Sequence, residues 1–457
     1  MKILIDLILS WANTKDAVHE TKDLFAWLET LNSSTNVSIE KTSLSKSNFW
    51  FYENELGIIR NKDNSFFSIR GIKQGDNEQP IIVQDEIGYL GIICKEINGL
   101  LHFLMQAKIE PGNLNKVQIS PTIQATKSNF MQRHGGKKPA YIDYFINSSR
   151  YMVIVDQIQS EQSSRFYKKR NRNIIIKIDE EIEVLDTHRW MTLGQIKKLM
   201  RHDNIINMDT RTVISCIPFS FYQLDELQRS RVEAYFNNKE LFNSIFPCKN
   251  ESSIVQIYSY INNYKMFNYL PTSFIPLRQL KGWTMDDNGI YYNSNNGFEV
   301  IYCDIQIEGR EVVQWMQPLI KARNIATFGL FICIKNEAMN FLVKATAEIG
   351  CFDTIELGPT MQTKDMQSSS VEDSIGNLFM QKYKNREGIL NEVFLSEEGG
   401  RFYHEQNLNI IIKLNDDELL ELPDGYFWLD YKSLNQLVQV NNCLNIQLRN
   451  LLSLLEV

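Results

Sequence analysis

Pro121-Thr122-Ile123-Gln124 returns as Pro359-Thr360-Met361-Gln362, 238 residues further along the chain. The same offset joins Gln79-Pro80 to Gln317-Pro318, Phe103-Leu104 to Phe341-Leu342, Glu110 to Glu348 and Gly112 to Gly350. Ser160-Glu161 and Arg165-Phe166-Tyr167 return as Ser396-Glu397 and Arg401-Phe402-Tyr403, two residues early. The offset recovers at Trp190 and Trp428 and holds to Arg211 and Arg449. Chance does not keep such a register, so the chain reads as one domain written twice. The first copy takes residues 1–218 with its helical lead-in. A helical connector and second lead-in fill 219–280, and the second copy takes 281–457. Phe274 to Trp283 echoes Ser38 to Trp50, so the lead-ins belong to the repeat.

The composition is that of a globular protein, with 43% hydrophobic and 23% charged residues. A net charge of −7 disfavours a nucleic-acid partner. The seven cysteines form no C-x-x-C pair and suggest a reducing cytoplasm. Asp6 interrupts the apolar run at the N-terminus, which reads as an amphipathic helix rather than a signal peptide. No apolar run of about 18 residues is present, so no membrane span is expected.

Leu24, Phe25, Trp27 and Leu28 form a helical stripe. Residues 66–72, 100–108, 152–158 and 173–178 read as strands, the last two nearly continuous apolar runs of the kind buried in a sheet. Residues 191–201 read as a helix, with Thr192 and Gln195 at capping-box spacing, and Asp430 is the matching N-cap in the second copy. Strands interleaved with helices predict, in each copy, a mixed sheet with helices on its faces.

Four segments hold candidate chemistry. Lys108 and Glu110 share a face at a strand end before Pro111-Gly112, and suit either a ligand site or a surface salt bridge. Gln118, Ser120, Thr122, Gln124 and Thr126 alternate with mostly apolar residues, a row that suits sugar hydroxyls or an ordinary solvent-facing strand. Pro121 argues for an edge position. Five of the eight residues from Arg165 to Arg172 are basic, which suits a diphosphate or a solvated hairpin tip. Asp203 to Thr212 mixes Asn, Asp and Arg after the capped helix, and could be only a helix cap and turn. The six histidines have no metal-ligand spacing, and neither G-x-G-x-x-G nor a P-loop occurs, so neither a metal nor a redox cofactor is expected.

Both copies keep Glu110/Glu348, Thr122/Thr360, Gln124/Gln362, Glu161/Glu397, Arg165/Arg401, Tyr167/Tyr403 and Arg211/Arg449. Lys108, Ser120, Arg170, Arg172 and Asp209 become Thr346, Gly358, Gln406, Leu408 and Gln447. The simplest expectation is a working pocket in the first copy and a degenerate one in the second. Changing Glu348 or Arg401 should then leave turnover nearly intact.

The motifs LMQAKIEPGN from Leu104, QISPTIQATKSN from Gln118, QSEQSSRFYKKRNRN from Gln159 and NMDTRTVIS from Asn207 resemble the NDP-hexose 2,3-dehydratases of deoxysugar biosynthesis. The resemblance extends over nearly the whole chain. It implies an α/β (α+β) fold of tandem Nudix-like domains in a homodimer, with two sugar-nucleotide pockets of which one is catalytic. The Nudix hydrolase signature itself is absent from both halves. The implied reaction removes the C2 hydroxyl of an NDP-4-keto-6-deoxyhexose without a cofactor, giving a 3,4-diketo sugar for a 3-ketoreductase.

Under this resemblance Glu110, Glu161 and Asp209 are the acid or base candidates and Tyr167 a proton donor. Lys108 stabilises the enolate or binds phosphate. Arg165, Arg170 and Arg172 hold the diphosphate. Gln106, Gln118, Ser120, Thr122, Gln124, Thr126, Asn129 and Arg211 complete the substrate site. A sugar-nucleotide-binding protein without turnover and an atypical diphosphate hydrolase are the alternatives.

Overall fold

The computed structural model describes residues 2–127, 138–248, 254–294, 297–308, 312–363, 374–415, 418 and 421–457. The protein is a mixed α/β structure, and its described residues form four sheets. In the first half a seven-stranded sheet has the order Met152–Ser160, Arg170–Lys177, Gly88–Ile97, Leu100–Ile109, His188–Met191. In the second half Ile389–Ser396, Gln406–Lys413, Thr327–Lys335, Ala338–Thr346 and Tyr426–Asp430 follow the same order. Ile174, Ile175 and Ile176 are fully buried because their strand is paired on both edges. The strand expected at 66–72 is Ser68–Gln74.

The feature that makes the site is a fork. Gly88–Ile97 and Leu100–Ile109 are paired only as far as Ile93↔Leu104, and then part. The returning chain fills the gap. Val117–Ser120 pairs with the Gln106–Ile109 end of one prong, and Ile123–Ala125 with Tyr89–Gly91 of the other. Thr122 sits in the crotch, where its hydroxyl accepts from Ile93 N at 2.9 Å and donates to Leu104 O. Those are the backbone groups that lose their ladder partners where the strands part, and buried backbone polar groups must be paired. Thr360 does the same for Phe331 N at 2.8 Å and Leu342 O at 2.5 Å.

Two expectations are therefore corrected. Residues 118–126 are not one edge strand, since Pro121 and Thr122 interrupt it inside the fork. Thr122 is a backbone staple rather than a member of a ligand-facing row.

The two smaller sheets are exchanged. The lead-in strand Val37–Thr42 pairs with Phe298–Ile307 of the second half, from Val37↔Ile307 to Thr42↔Tyr302. The matching lead-in Thr272–Ile275 pairs with Ser68–Gln74 of the first half. Trp50, Ile69, Ile82 and Phe166 share one apolar core with Leu277, Phe298, Val300 and Phe402. Boundaries at 218 and 281 thus separate strands that are hydrogen-bonded to each other.

Two short helices, Met208–Ser215 and Ile446–Ser453, pack together at the centre, capped by Asn207 and Asn445. Arg211 Nη2 reaches Ser396 O at 2.6 Å, and Arg449 Nη2 reaches Ser160 O from the other side. Thr192 and Gln195 form the capping box, and Asp430 caps its helix through Ser433 N. Leu24 and Leu28 are buried in the main core, with Phe25 and Trp27 packed against it.

The turn after Glu110 meets the second half backbone to backbone. Gly112 N donates to Gly399 O at 2.7 Å, and His404 N donates to Gly112 O at 2.9 Å. A Cβ on Gly112 would occupy the space of Phe402 O, and no rotamer change can move a backbone carbonyl. Gly112→Ala should therefore lower the thermal midpoint, with an overpacking cost of about 1–3 kcal/mol. An unchanged melting curve would show that the two loops separate freely.

Candidate active site

The open end of the first fork holds a connected polar group. Lys108 Nζ lies 3.7 Å from Glu110 Oε1 and donates to Gln124 O at 3.1 Å. Gln124 Nε2 donates to the same Glu110 oxygen at 3.0 Å, and Gln124 Oε1 accepts from Asn207 Nδ2 at 3.2 Å. Asn207 caps the helix that carries Asp209 in its first turn. Asp209 is buried, and its Oδ1 has no hydrogen-bond partner among the described residues. Burial pushes its pKa well up. Glu161, Glu398 and Glu110 push the same way, and Lys108 opposes them. Such a carboxyl holds its proton and can donate it.

The second half closes this group. Its loop Glu397-Glu398-Gly399-Gly400-Arg401 lies against the Glu110 turn. The buried Arg401 donates to Gln84 Oε1 at 3.1 Å, with its guanidinium 4.2 and 4.5 Å from the Phe66 and Phe67 ring centroids. Burial lowers its pKa, while Glu398, Glu110, Glu86 and Glu161 raise it. Glu398 is half-buried and pushed up to about 7, first by desolvation and then by Glu110 and Glu161, against Arg401 and Lys108.

The pocket is therefore composite, and this corrects two expectations. Arg401, expected to be dispensable, belongs with Lys108. The basic cluster, expected beside Lys108, is divided: Arg165, Lys168 and Arg170 meet the second half, while Lys169 and Arg172 stay with the first, on Glu86 O and on Asp156 and Tyr89. Gly350 N donates to Ser163 O at 2.9 Å, and Lys168 N to Gly350 O at 2.8 Å. Arg170 stacks 3.7 Å from the Phe352 ring centroid, and Arg165 4.0 Å from that of Phe298. Tyr167 packs its ring on Phe274 at 4.9 Å. Arg172 is held by Asp156 through two 2.6 Å hydrogen bonds, and it reaches Tyr89 Oη at 3.2 Å.

The remaining candidates are dispersed. Glu161 is buried, accepts from Asn171 and has its pKa raised by burial. Gln118 accepts from Ser396 Oγ at 3.0 Å across the halves. Ser120 donates to Gln106 O at 3.3 Å and Oε1 at 3.4 Å. Arg211 is fully buried and bonded to Ile206 O and Ser396 O, a tie between the halves rather than a ligand contact. Thr126 is partly buried beyond the fork strand, and Asn129 lies outside the described residues.

At the second fork Asn445 Nδ2 donates to Gln362 Oε1 at 2.8 Å, as Asn207 does to Gln124. Gln447 and Thr346 replace Asp209 and Lys108 there, and Glu356 replaces Gln118. Glu356 accepts from Ser160 Oγ at 3.0 Å, and burial pushes it up to about 7. The residues missed from sequence are Glu398, Asn207 and Gln84. Glu398 carried a usable signal, since the repeat has Gln162 in its place.

The family model described as NDP-hexose 2,3-dehydratase matches residues 21–217 and 254–455. A dTDP-4-dehydro-6-deoxy-alpha-D-glucopyranose 2,3-dehydratase of Saccharopolyspora spinosa is 35% identical over 442 residues, 95% of this chain and 90% of that protein. Proteins of the same description from Amycolatopsis orientalis and Streptomyces violaceoruber are each 32% identical. They cover 98% and 95% of this chain, and 92% and 97% of their own lengths. With both halves matched and the relatives aligned almost end to end, the chain belongs to the NDP-hexose 2,3-dehydratase family.

Proposed function

We propose that this chain is a carbon–oxygen lyase whose substrate is dTDP-4-keto-6-deoxyglucose, and that the first fork is its catalytic pocket. The carrying observation is the convergence of Lys108, Glu110 and Asp209 around Gln124, a set the second fork lacks. The thymidine nucleotide rests on the printed names of the three relatives.

The C4 ketone acidifies the C3 proton, because the resulting carbanion is delocalised as an enolate. A carboxylate takes that proton, and Lys108 balances the enolate charge. The C2 hydroxyl is β to the ketone and departs as water once protonated. The enol left behind tautomerises to the 3,4-diketo-2,6-dideoxy sugar. No step calls for a metal or a redox cofactor.

The repeat, the matching sheet orders and the matching forks support a tandem pair of Nudix-like domains that exchange lead-in strands. Met266, Phe267, Tyr269, Leu270 and Phe274 are exposed on one segment, which a second copy in a homodimer would cover. None of the seven cysteines is in a disulfide, which suits the reducing cytoplasm. A 3-ketoreductase is the class of enzyme that would consume the diketone.

The test is incubation with dTDP-4-keto-6-deoxyglucose in excess EDTA, followed by mass spectrometry and trapping of the vicinal diketone with an aromatic diamine. Loss of one water, with the trapped adduct, is expected. Binding without change points to a non-catalytic receptor. Release of thymidine monophosphate only when a divalent ion is restored points to a hydrolase.

A further inference from the structure

We infer that Glu398, carried by the second half, is a catalytic residue of the first fork: it donates the proton with which the C2 hydroxyl leaves. This rests on the reading of that fork as the dehydration site. Comparison of like segments marks Glu398 against Gln162 but does not place it at the first fork, because the residues that face each other belong to opposite copies.

The geometry carries the assignment. An ideal Cβ on Gly400 would overlap Glu398 Oε1 and lie 3.5 Å from Glu110 Oε1, so the two carboxyl groups approach one face of that glycine. Lys108, Lys169 and Arg401 are cations in electrostatic reach of Glu398, and Glu110, Glu161 and Asp209 are carboxyl groups in reach of it. Glu398 is the half-buried member of this set, while Glu110, Glu161 and Asp209 are buried, so it is the carboxyl most open to a ligand. The loop supports it. Gly400 N donates to Glu398 Oε1 at 3.1 Å, and Glu398 O accepts from Arg401 N at 3.1 Å.

The asymmetry of the repeat points the same way. The loop over the first fork reads Glu397-Glu398-Gly399-Gly400-Arg401, and the loop over the second reads Glu161-Gln162-Ser163-Ser164-Arg165. Gln162 can neither give nor take a proton. The first fork therefore gains a carboxyl and loses two hydroxymethyl groups, which clears space beside Glu110. The carboxyl's affinity for its proton, raised by desolvation and by Glu110, suits a donor near neutral pH.

The proton balance closes within the pocket. Glu110, beside Lys108, takes the C3 proton. Glu398 gives its own to the C2 oxygen, the C2–O bond breaks, and water departs. Glu110 then holds a proton and Glu398 a charge. The proton passes between these neighbours or through water, which restores the starting state, while the enol tautomerises.

The experiment is Glu398→Gln, which installs the residue the second loop already uses. Turnover should fall about a hundredfold or more, the scale of lost general-acid catalysis. The affinity for dTDP, measured by calorimetry, should stay within about threefold. In D2O, the variant should still exchange the C3 proton of dTDP-4-keto-6-deoxyglucose while losing water slowly, because Glu110 remains. Glu398→Asp, which keeps a carboxyl, should retain more turnover than Glu398→Gln, and it serves if the glutamine variant does not fold.

Wild-type kcat and pH profile in Glu398→Gln would overturn the inference, and so would equal loss of C3 exchange and water loss. Both are read against an active wild-type enzyme. A wild type that does not dehydrate the sugar would instead overturn the functional reading itself.

Discussion

Lys108→Ala should lower kcat by about a hundredfold or more, the usual scale for losing one donor that faces developing oxyanion charge. Lys108 is tied to Glu110 and to the Gln124 carbonyl, so its ammonium is already placed before substrate arrives. The second fork has Thr346 in its place, which cannot balance an enolate. Asp209→Asn should be comparably impaired, with a second signature in stability. The folded protein holds the Asp209 proton more tightly than the unfolded chain does. Over the range above about 3.9, the ordinary Asp value, the native state therefore binds more protons, and stability falls as pH rises. Asn has no proton to lose. The variant should melt higher than wild type near neutrality, and the difference should shrink toward pH 4. Wild-type turnover in Lys108→Ala, or an Asp209→Asn melting curve parallel to wild type at every pH, would remove these residues from the site.

Arg401→Ala should damage both turnover and folding, although it lies in the copy that sequence comparison marks as degenerate. Arg401 is buried among Glu398, Glu110, Glu86 and Glu161, bonded to Gln84 and set over Phe66 and Phe67. Removing a buried cation from carboxylates it compensates costs on the order of 3–5 kcal/mol. The carboxyl groups of the pocket would also hold their protons more strongly, so the pH–rate profile should shift upward. Arg401→Lys should fall between, since lysine keeps the charge but not the planar fork. The measurement is kcat/KM across pH for Lys108→Ala and Arg401→Ala, each with its melting midpoint. A folded Arg401→Ala enzyme with wild-type kcat/KM would mean that the two halves work separately.

Much of this molecule is legible one segment at a time. Thr192 and Gln195 show a capping box as spacing and form one as hydrogen bonds, because a cap depends on residues three apart. The isoleucine run at 174–176 shows a buried strand, because burial on both faces demands apolar residues at successive positions. Lys108, Glu110 and Gln124 meet because they sit on one fork, whose strands are close in sequence.

Other features depend on which distant segment arrives where. Thr122 looks like one of an alternating polar row, and only the parting of two strands makes it a staple. Arg170 looks like a phosphate ligand for its own copy, and only the chain path sets it on Phe352. The lead-in at Val37–Thr42 has no local mark that sends it to Phe298–Ile307.

The repeat, the fold class, the polar set around Lys108 and the family resemblance were determined by the amino-acid sequence alone. Side-chain spacing, caps and apolar periodicity act over a few residues and are written in order along the chain. The tertiary structure alone decided that each loop closes the opposite half's fork, and hence that Glu398 and Arg401 join Lys108, Glu110 and Asp209. That pairing is set by two copies packing their backbones together at Gly112 and Gly350, a contact between segments hundreds of residues apart.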